Sequence, residues 1–270
     1  MLTFVGLGLY DERSVTVAGR DAIRAADRVV AEFYTSKLAG TTVADLEAHH
    51  DTAIEVRDRA GVEQSPGDIL DDAESEDVVF LTAGDTMVST THVDLRLRAH
   101  ERGVETRVVH GTTAQTAASS LTGLQNYRFG KATTLPFERS HGGEGVPGSV
   151  LETIDANRER GLHTLVFLDI DAANDDYMRA DTAAGMLADA WDETDSGEEV
   201  TAGPDRLGVV VARAGSPSPV VRADRLGTLA GESFGDPLHL LVVPGELHLL
   251  EREALAELGD APEDVLPAAV

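Results

Sequence analysis

The sequence predicts an α/β fold of two domains, each a mainly parallel or mixed sheet flanked by helices. Strand-like apolar runs alternate with helix-like segments from residue 2 to residue 110, which is typical of a parallel sheet. Residues 78–81 form an apolar run behind an acidic segment, as expected of a strand buried on both faces. A chain of 270 residues can hold two ordinary domains. We therefore expect domains at residues 1–111 and 112–270.

Capping residues and glycines indicate where the elements of the first half begin and end. Ser14 or Thr16 can cap the first helix, and Gly103 can end the fourth as a glycine C-cap. The segment 111–120 is rich in small and hydroxyl residues, which suits a backbone that lies close to a ligand or a second domain. The predicted strands are residues 2–7, 29–31, 53–56, 78–81 and 105–110. The predicted helices are residues 17–27, 42–48, 65–70 and 93–102.

The second half is predicted to continue with strands and helices around a glycine-rich connection at residues 140–148. An acidic loop follows the helix that ends near Trp191, and Gly259 lies where it can cap the last helix. The predicted strands are residues 133–137, 164–170, 207–212 and 239–243. The predicted helices are residues 150–160, 182–191, 222–231 and 247–258.

The segment Ala83-Gly84-Asp85 after the strand at 78–81 is a candidate ligand site. Gly84 allows a sharp turn or a close ligand approach, and Asp85 emerges at the carboxyl end of a strand, where open α/β sheets bind ligands. The hydroxyl cluster Ser89-Thr90-Thr91 can cap the helix that follows. The alternative is an ordinary Gly-Asp turn, of which any α/β protein has several.

The charge of the chain is strongly negative. The sequence has 48 acidic and 22 basic residues, a net charge of −26, and only Lys37 and Lys131 among the basic residues are lysines. This charge disfavours binding to nucleic acid or to an anionic membrane. Acidic residues spread along a chain with so few lysines are expected of a protein from a halophile, because concentrated salt screens their repulsion. A cationic partner would instead favour a local acidic patch.

Cellular location follows from what the sequence lacks. There is no cysteine, so neither a disulfide nor a thiolate site is expected, and an intracellular location fits. Residues 2–7 are strand-like without a basic region before them, so we expect no signal peptide. No apolar run approaches the roughly eighteen residues of a membrane span. The expectation is a cytoplasmic protein.

Common catalytic motifs are absent from the sequence. Gly6-x-Gly8 is followed by Asp11 at the third glycine position of a dinucleotide fingerprint, and Lys131 is followed by alanine, unlike a phosphate loop. There is no Gly-x-Ser-x-Gly nucleophile elbow and no His-Glu-x-x-His metal motif. We expect no metal site. Small or apolar residues and lone polar groups at strand ends can instead line an inter-domain cleft for a small organic cofactor.

Six blocks in the same order along residues 2–260 resemble one family. They are Gly6–Glu12, Ala31–Ser36, Ala83-Gly84-Asp85 with Thr90-Thr91-His92, Thr122–Lys131, Gly161–Ile170 and Phe234–Gly245. These blocks resemble the diphthine synthases, which belong to the tetrapyrrole-methylase-like class of S-adenosylmethionine-dependent methyltransferases. The agreement of several blocks is much more specific than any single glycine motif.

The resemblance implies a fold, an activity and a partner. The fold would be two α/β domains with S-adenosylmethionine in the cleft between them, assembled as a homodimer. The activity would be methylation of the amino group of a 3-amino-3-carboxypropyl arm on a modified histidine of translation elongation factor 2, which forms diphthine. The residues implied to contact the cofactor are Leu9, Asp85, Val88, Thr113, Ala114, Leu168, Ala212 and His239.

The chain departs from the family pattern at two places, and one catalytic role stays open. Thr86 replaces a frequent proline after Gly84-Asp85, which predicts a looser turn, and Thr113-Ala114 replaces a serine and a larger apolar residue. His239 is a titratable candidate for a general base, but a plain hydrogen bond to the cofactor is the alternative. Two other functions remain open: methylation of a tetrapyrrole carbon, and a non-catalytic cofactor-binding module.

Overall fold

The computed structural model of the protein describes residues 1–194 and 203–270. Its contacts divide the chain into two compact units. The first comprises Met1–Ala114 with Ile170–Asp175, and the second comprises Gln115–Asp169 with Asp176–Val270. The domain boundary near residue 111 stays a prediction. The predicted acidic loop after Trp191 falls mainly on residues 195–202, outside the described residues.

Five parallel strands form the sheet of the first unit. They are β1 (Leu2–Gly6), β2 (Arg28–Glu32), β3 (Glu55–Arg57), β4 (Val78–Thr82) and β5 (Thr106–Val109). Their order is β3-β2-β4-β1-β5, and every pair is parallel. Strand β4 is central and buried along its whole length, as its apolar sequence predicts. All carboxyl ends therefore lie at one edge of this sheet.

Helices cover both faces of the first sheet. They are α1 (Val17–Ala25), α2 (Val43–His50), α3 (Gly67–Ala73) and α4 (Val93–Glu101). The Thr16 hydroxyl accepts a hydrogen bond from the Gly19 N–H at 3.1 Å, so Thr16 caps α1. Phe4, Phe80 and Leu95 belong to one apolar cluster, and a separate cluster includes Ile23. Two cores thus hold the sheet from its two sides.

The second unit contains a mixed sheet. Within the described ranges, the remaining strands are β6 (Thr133–Leu135), β7 (Thr164–Leu168), β8 (Ile170–Asp171), β9 (Asp176–Tyr177), β10 (Leu207–Ala212), β11 (Val220–Arg225) and β12 (His239–Val243). The sheet order is β11-β10-β12-β7-β6. Only β6 and β7 pair in parallel, and the other pairs are antiparallel. One parallel and one mixed sheet confirm the predicted fold class.

Among the residues that the structure describes, six helices accompany the second sheet. They are α5 (Ala114–Thr122), α6 (Glu138–His141), α7 (Gly148–Arg158), α8 (Ala180–Thr194), α9 (Leu226–Leu229) and α10 (Leu249–Leu258). The core of this unit centres on Trp191, Leu187 and Leu241, which are all nearly free of solvent contact. Within the described ranges, no helix has both the length and the apolar composition to cross a membrane.

The prediction of a helix at residues 222–231 is wrong. Val220–Arg225 is strand β11, and only Leu226–Leu229 forms a single helical turn. The strand pairs along its length with β10, from Leu207 opposite Arg225 to Ala212 opposite Val220. Helix propensity is a weak preference, so a complete ladder of backbone hydrogen bonds at the edge of a sheet overrides it.

Most of the segment rich in small and hydroxyl residues after β5 is helical, and its closeness to a ligand stays a prediction. Residues 114–122, rich in alanine, serine and threonine, form the regular helix α5. Thr122 and Ser119 satisfy their hydroxyl groups locally, because Thr122 Oγ1 donates to the Ala118 carbonyl at 2.8 Å and Ser119 Oγ donates to the Leu124 carbonyl at 2.7 Å. Residues 110–113 form the short connection between β5 and α5.

Candidate active site

Glycines bring together the loops at the carboxyl edge of the first sheet. Gly6, Gly84 and Gly111 belong to the neighbouring strands β1, β4 and β5 or follow them directly. A Cβ atom on Gly6 would lie 2.5 Å from the Gly84 carbonyl oxygen, and one on Gly111 would lie 2.1 Å from that oxygen. Any side chain at either position would force the backbone segments apart. The close packing of these loops therefore requires glycine.

The turn at Gly84 is fixed from one side and open on the other. Gly8 N–H donates to the Gly84 carbonyl at 3.1 Å, and Gly84 N–H donates to the Gly8 carbonyl at 2.7 Å. Gly84 has φ of +76°, in the left-handed region, yet a Cβ built on it would meet no described atom within 4 Å. The backbone of the Gly-Asp turn therefore borders open space, where a ligand can approach it closely.

Asp85 already has several partners in the first unit. Its Oδ1 accepts a hydrogen bond from the Met87 N–H at 2.9 Å, and its Oδ2 accepts one from the Gly111 N–H at 3.2 Å. His110 Nδ1 lies 2.8 Å from the same Oδ2. The side chain is almost completely buried. A carboxylate has about four acceptor positions, so Asp85 can accept one further hydrogen bond while it joins the ends of β4 and β5.

The other first-unit residues of the predicted site follow the same three strands. Leu9 comes after the Gly8 bridge, Val88 lies in the loop after β4, and Thr113-Ala114 leads from β5 into α5. Val88 is 39% exposed, while Leu9, Thr113 and Ala114 are half-buried. The fold thus brings these loops to one edge of one sheet. Their contact with the cofactor stays a prediction.

Thr86 does not form the loose turn that the missing proline predicts. Its side chain is fully buried, and its carbonyl accepts a hydrogen bond from Thr90 Oγ1 at 2.6 Å. His92 Nδ1 lies 3.2 Å from the same carbonyl oxygen. Thr86 Oγ1 itself has no hydrogen-bond partner among the residues that the structure describes. Two side chains therefore fix the backbone at this position instead of a proline ring.

The predicted hydroxyl cap of α4 is also wrong. His92 occupies the N-cap position, and no side chain caps the helix there. Thr90 donates to the Thr86 carbonyl, and Thr91 Oγ1 donates to Glu63 Oε1 at 2.8 Å. Thr90 therefore bonds within its own loop and Thr91 bonds to a distant segment, so both hydroxyl groups bind elsewhere than at the start of α4.

Three predicted site residues of the second unit lie side by side on its sheet. Ala212 at the end of β10 pairs with His239 at the start of β12. Leu240 lies opposite Phe167 in the antiparallel pairing of β12 with β7, so Leu168 is next to His239. All three predicted residues are buried. The sheet register therefore brings together residues that are far apart in the sequence.

His239 is held in a single neutral form. Its Nδ1 accepts a hydrogen bond from the Ala180 N–H at 3.2 Å, and its Nε2 lies 3.0 Å from the Asp236 carbonyl oxygen. A carbonyl only accepts, so Nε2 carries the proton. Burial lowers the pKa of His239 to about 4. With its lone pair already used at Nδ1, His239 is better suited to a fixed position in the site than to proton abstraction.

Two arginines, which the sequence did not single out, hold the loop before β12. Arg213 follows Ala212 directly, has φ of 51°, and its Nη1 donates to the carbonyls of Phe234 at 2.5 Å and Asp236 at 3.2 Å. Arg179 Nη1 donates to the Gly235 carbonyl at 3.4 Å. The only signal in the sequence was the position of Arg213 after a strand. These contacts fix the loop that ends at His239.

The residues at the carboxyl edge of the first sheet suit a small cofactor with apolar and polar parts. In the first unit, an exposed Val88 and a half-buried Leu9 flank open backbone at Gly84 and the carboxylate of Asp85. Such a surface can bind an adenosyl group and an ammonium group. In the described ranges, no group of three His, Asp or Glu side chains is arranged to bind a metal ion.

Comparison with known proteins places the chain in a class. Residues 1–230 match the family model of the Tetrapyrrole (Corrin/Porphyrin) Methylases. The chain is therefore a methyltransferase of this class, with S-adenosylmethionine as the methyl donor.

More specific relatives match along the full length. The chain is 66% identical to the diphthine synthase of Natronomonas pharaonis, with 99% of each chain covered. It is 68% identical to that of Halobacterium salinarum, with 98% of this chain and 100% of the relative covered. A crystal structure of diphthine synthase superposes with a TM-score of 0.88 at 38% identity, covering 98% of both chains. The chain belongs to the diphthine synthase family. These halophilic relatives also support the interpretation of the acidic composition.

Proposed function

We propose that this protein methylates the amino group of the 3-amino-3-carboxypropyl arm on a modified histidine of translation elongation factor 2, which forms diphthine. The observation that carries the proposal is the full-length identity of 66–68% to diphthine synthases of two halophilic archaea. The glycine-bordered edge of the first sheet and the aligned residues Leu168, His239 and Ala212 are consistent with it.

We propose that the cofactor contacts Leu9, Asp85, Val88, Thr113, Ala114, Leu168, Ala212 and His239. When bound, S-adenosylmethionine supplies a methyl group that is already activated on a sulfonium centre. The protein must then position the acceptor amine and exclude water, and it needs no nucleophile of its own. This agrees with the absence of a nucleophile motif in the sequence.

Proton removal from the acceptor ammonium does not fall to His239 in this proposal. The Nδ1 lone pair of His239 accepts the Ala180 N–H, and its pKa of about 4 keeps the ring neutral. We assign His239 a role in shaping the cofactor site, next to Ala212 and Leu168 on the sheet.

The test is a transfer assay in concentrated salt with radiolabelled S-adenosylmethionine. The acceptor is elongation factor 2 that carries the unmethylated arm, and the matched control is the same factor with the modified histidine replaced by alanine. Label on the first factor and not on the second supports the proposal. Label transferred instead to a tetrapyrrole supports the first alternative. Cofactor binding without transfer to either acceptor supports a non-catalytic module.

We also propose a cytoplasmic homodimer. The second unit exposes Tyr127, Leu249 and Leu250, which are 75%, 61% and 65% accessible, and such residues are candidates for a subunit contact. Sedimentation velocity in concentrated salt measures the mass. A monomer at micromolar concentration would contradict the assembly, and Leu250→Asp tests whether this surface takes part in it.

A further inference from the structure

A buried carboxyl–imidazole pair lies beneath the candidate cofactor loop of the first unit and has no part in the proposed chemistry. Glu32 ends β2 and His92 precedes α4, and both side chains are completely buried. His92 Nε2 lies 3.4 Å from Glu32 Oε1. Burying ionisable groups is costly unless they are paired, so a pair at this depth needs an explanation.

The Glu32 carboxyl fixes the segment after β2. Its Oε2 accepts hydrogen bonds from the Tyr34 N–H at 3.0 Å and the Thr35 N–H at 3.1 Å. Thr35 Oγ1 donates to Oε1 at 2.6 Å. These three contacts tie the carboxyl group to the segment directly after β2, and the Thr82 side chain on β4 is a further hydrogen-bond partner.

The His92 ring connects the Glu32 carboxyl group to the loop after β4. Nδ1 lies 3.2 Å from the Thr86 carbonyl oxygen, and a carbonyl only accepts, so Nδ1 carries a proton. The Phe80 ring packs against the imidazole at a centroid distance of 5.0 Å, which limits its movement. Burial raises the pKa of Glu32 and lowers the pKa of His92, which favours a neutral pair with the second proton on the carboxyl group.

We propose that His92 is a positioning residue that fixes Thr86, and through it the segment Asp85–Val88, in the geometry that binds the cofactor. Asp85 and Val88 lie on either side of Thr86 and Met87, so movement of the Thr86 carbonyl moves both predicted contacts. The inference rests on the proposed function, because it needs the cofactor to bind at this loop.

The second unit provides a matched control. His163 and Glu251 are also completely buried, with Nε2 and Oε1 3.0 Å apart. His163 Nδ1 accepts the Gly245 N–H at 3.1 Å, and this contact lies at the opposite end of strands β7 and β12 from Leu168 and His239. Breaking either pair should lower stability, but only the His92 pair borders a predicted cofactor segment.

Two substitutions separate the contacts of the His92 ring. The side-chain amide nitrogen of asparagine is the same number of bonds from Cα as Nδ1 of histidine. The side-chain amide nitrogen of glutamine is the same number of bonds from Cα as Nε2 of histidine. His92→Asn therefore keeps a hydrogen-bond donor toward the Thr86 carbonyl. His92→Gln keeps an amide group toward Glu32 but has no donor toward the Thr86 carbonyl. Glu32→Gln keeps a donor toward His92 and leaves the Thr86 contact in place.

The experiment measures S-adenosylmethionine binding by titration calorimetry in concentrated salt, with unfolding midpoints measured in parallel. We expect His92→Gln to raise the Kd about tenfold, as for the loss of one well-placed hydrogen bond. His92→Asn, Glu32→Gln and His163→Gln should stay within about twofold of the wild type, even where the unfolding midpoint falls.

Two results would overturn the inference. One is a His92→Gln protein that is folded and binds as tightly as the wild type. The other is an equal loss of binding in His92→Asn and His92→Gln, because it would show that the contact with Thr86 is not what matters. A wild-type protein that does not bind S-adenosylmethionine would instead refute the proposed function, so the two failures are distinguishable.

Discussion

The Asp85 carboxylate accepts a hydrogen bond from the Gly111 N–H at 3.2 Å, and this contact joins the end of β4 to the segment that follows β5. The same carboxylate accepts the Met87 N–H at 2.9 Å. Asp85 is thus part of the frame of the candidate site as well as a predicted cofactor ligand. Its replacement should affect both stability and binding.

Asp85→Ala should lower the free energy of unfolding by about 1–3 kcal/mol, because it leaves the part-buried N–H groups of Met87 and Gly111 without their acceptor. We expect the Kd for S-adenosylmethionine to rise about tenfold or more as the loops at Gly84 and Gly111 separate. Chemical unfolding and calorimetry measure the two effects.

The control for Asp85 is Asp224→Ala. Asp224 is also buried, and it accepts hydrogen bonds from the Arg225 N–H at 2.7 Å and Arg222 Nη2 at 2.8 Å in the second unit. This variant should lose stability and keep its cofactor affinity. Unchanged cofactor binding in Asp85→Ala would remove Asp85 from the predicted site.

His239→Asn should leave the shape of the pH profile of kcat unchanged between about pH 6 and 9. The reason is that the pKa of His239, about 4 through burial, keeps the ring neutral across this range. The Asn side-chain oxygen can still accept the Ala180 N–H, so we expect a modest and pH-independent loss of activity. Steady-state rates at a series of pH values make the comparison. If one limb of the pH profile of kcat disappears in His239→Asn, His239 acts as a general base after all.

His50→Leu should make the protein more resistant to acid. His50 is 1% exposed, neither ring nitrogen has a hydrogen-bond partner in the described part of the chain, and burial lowers its pKa from 6.5 to about 4. Below pH 6.5 the unfolded state takes up the proton first, so stability is lost as the pH falls from 6.5 to 4, by at most ~3 kcal/mol. Leucine does not bind a proton, so His50→Leu removes this dependence of stability on pH.

The effect of His50→Leu is measured as the free energy of unfolding at pH 8 and at pH 5. Further measurements at steps of about one pH unit give the slope of the unfolding free energy against pH. An equal slope in wild type and His50→Leu would mean that His50 does not contribute to acid unfolding.

Removal of salt should destabilise the whole protein. The net charge is −26, and the Debye length rises from about 3 Å at 1 M salt to about 10 Å at 0.1 M, so repulsion among the carboxylates grows. We expect the thermal unfolding midpoint to fall steadily as KCl is lowered. Sucrose in place of KCl controls for general osmotic stabilisation. A midpoint independent of KCl would contradict the charge interpretation.

Much of the fold could be predicted because its signals are local. The buried strand β4, the Thr16 cap of α1 and the succession of strands and helices along the first half follow from apolar runs and capping residues. The position of Asp85 at a strand end was equally clear. The helix predicted at residues 222–231 failed because backbone pairing with β10, a partner outside that segment, decides the conformation there.

Composition and motif blocks were enough to predict the α/β class, the halophilic character and the family. The folded chain was needed to show that Ala212, His239 and Leu168 lie in register, that the Nδ1 lone pair of His239 accepts the Ala180 N–H, and that His92 contacts Thr86. Apolar runs and capping residues act over a few neighbouring residues, whereas sheet register and buried hydrogen bonds join segments that only folding brings together.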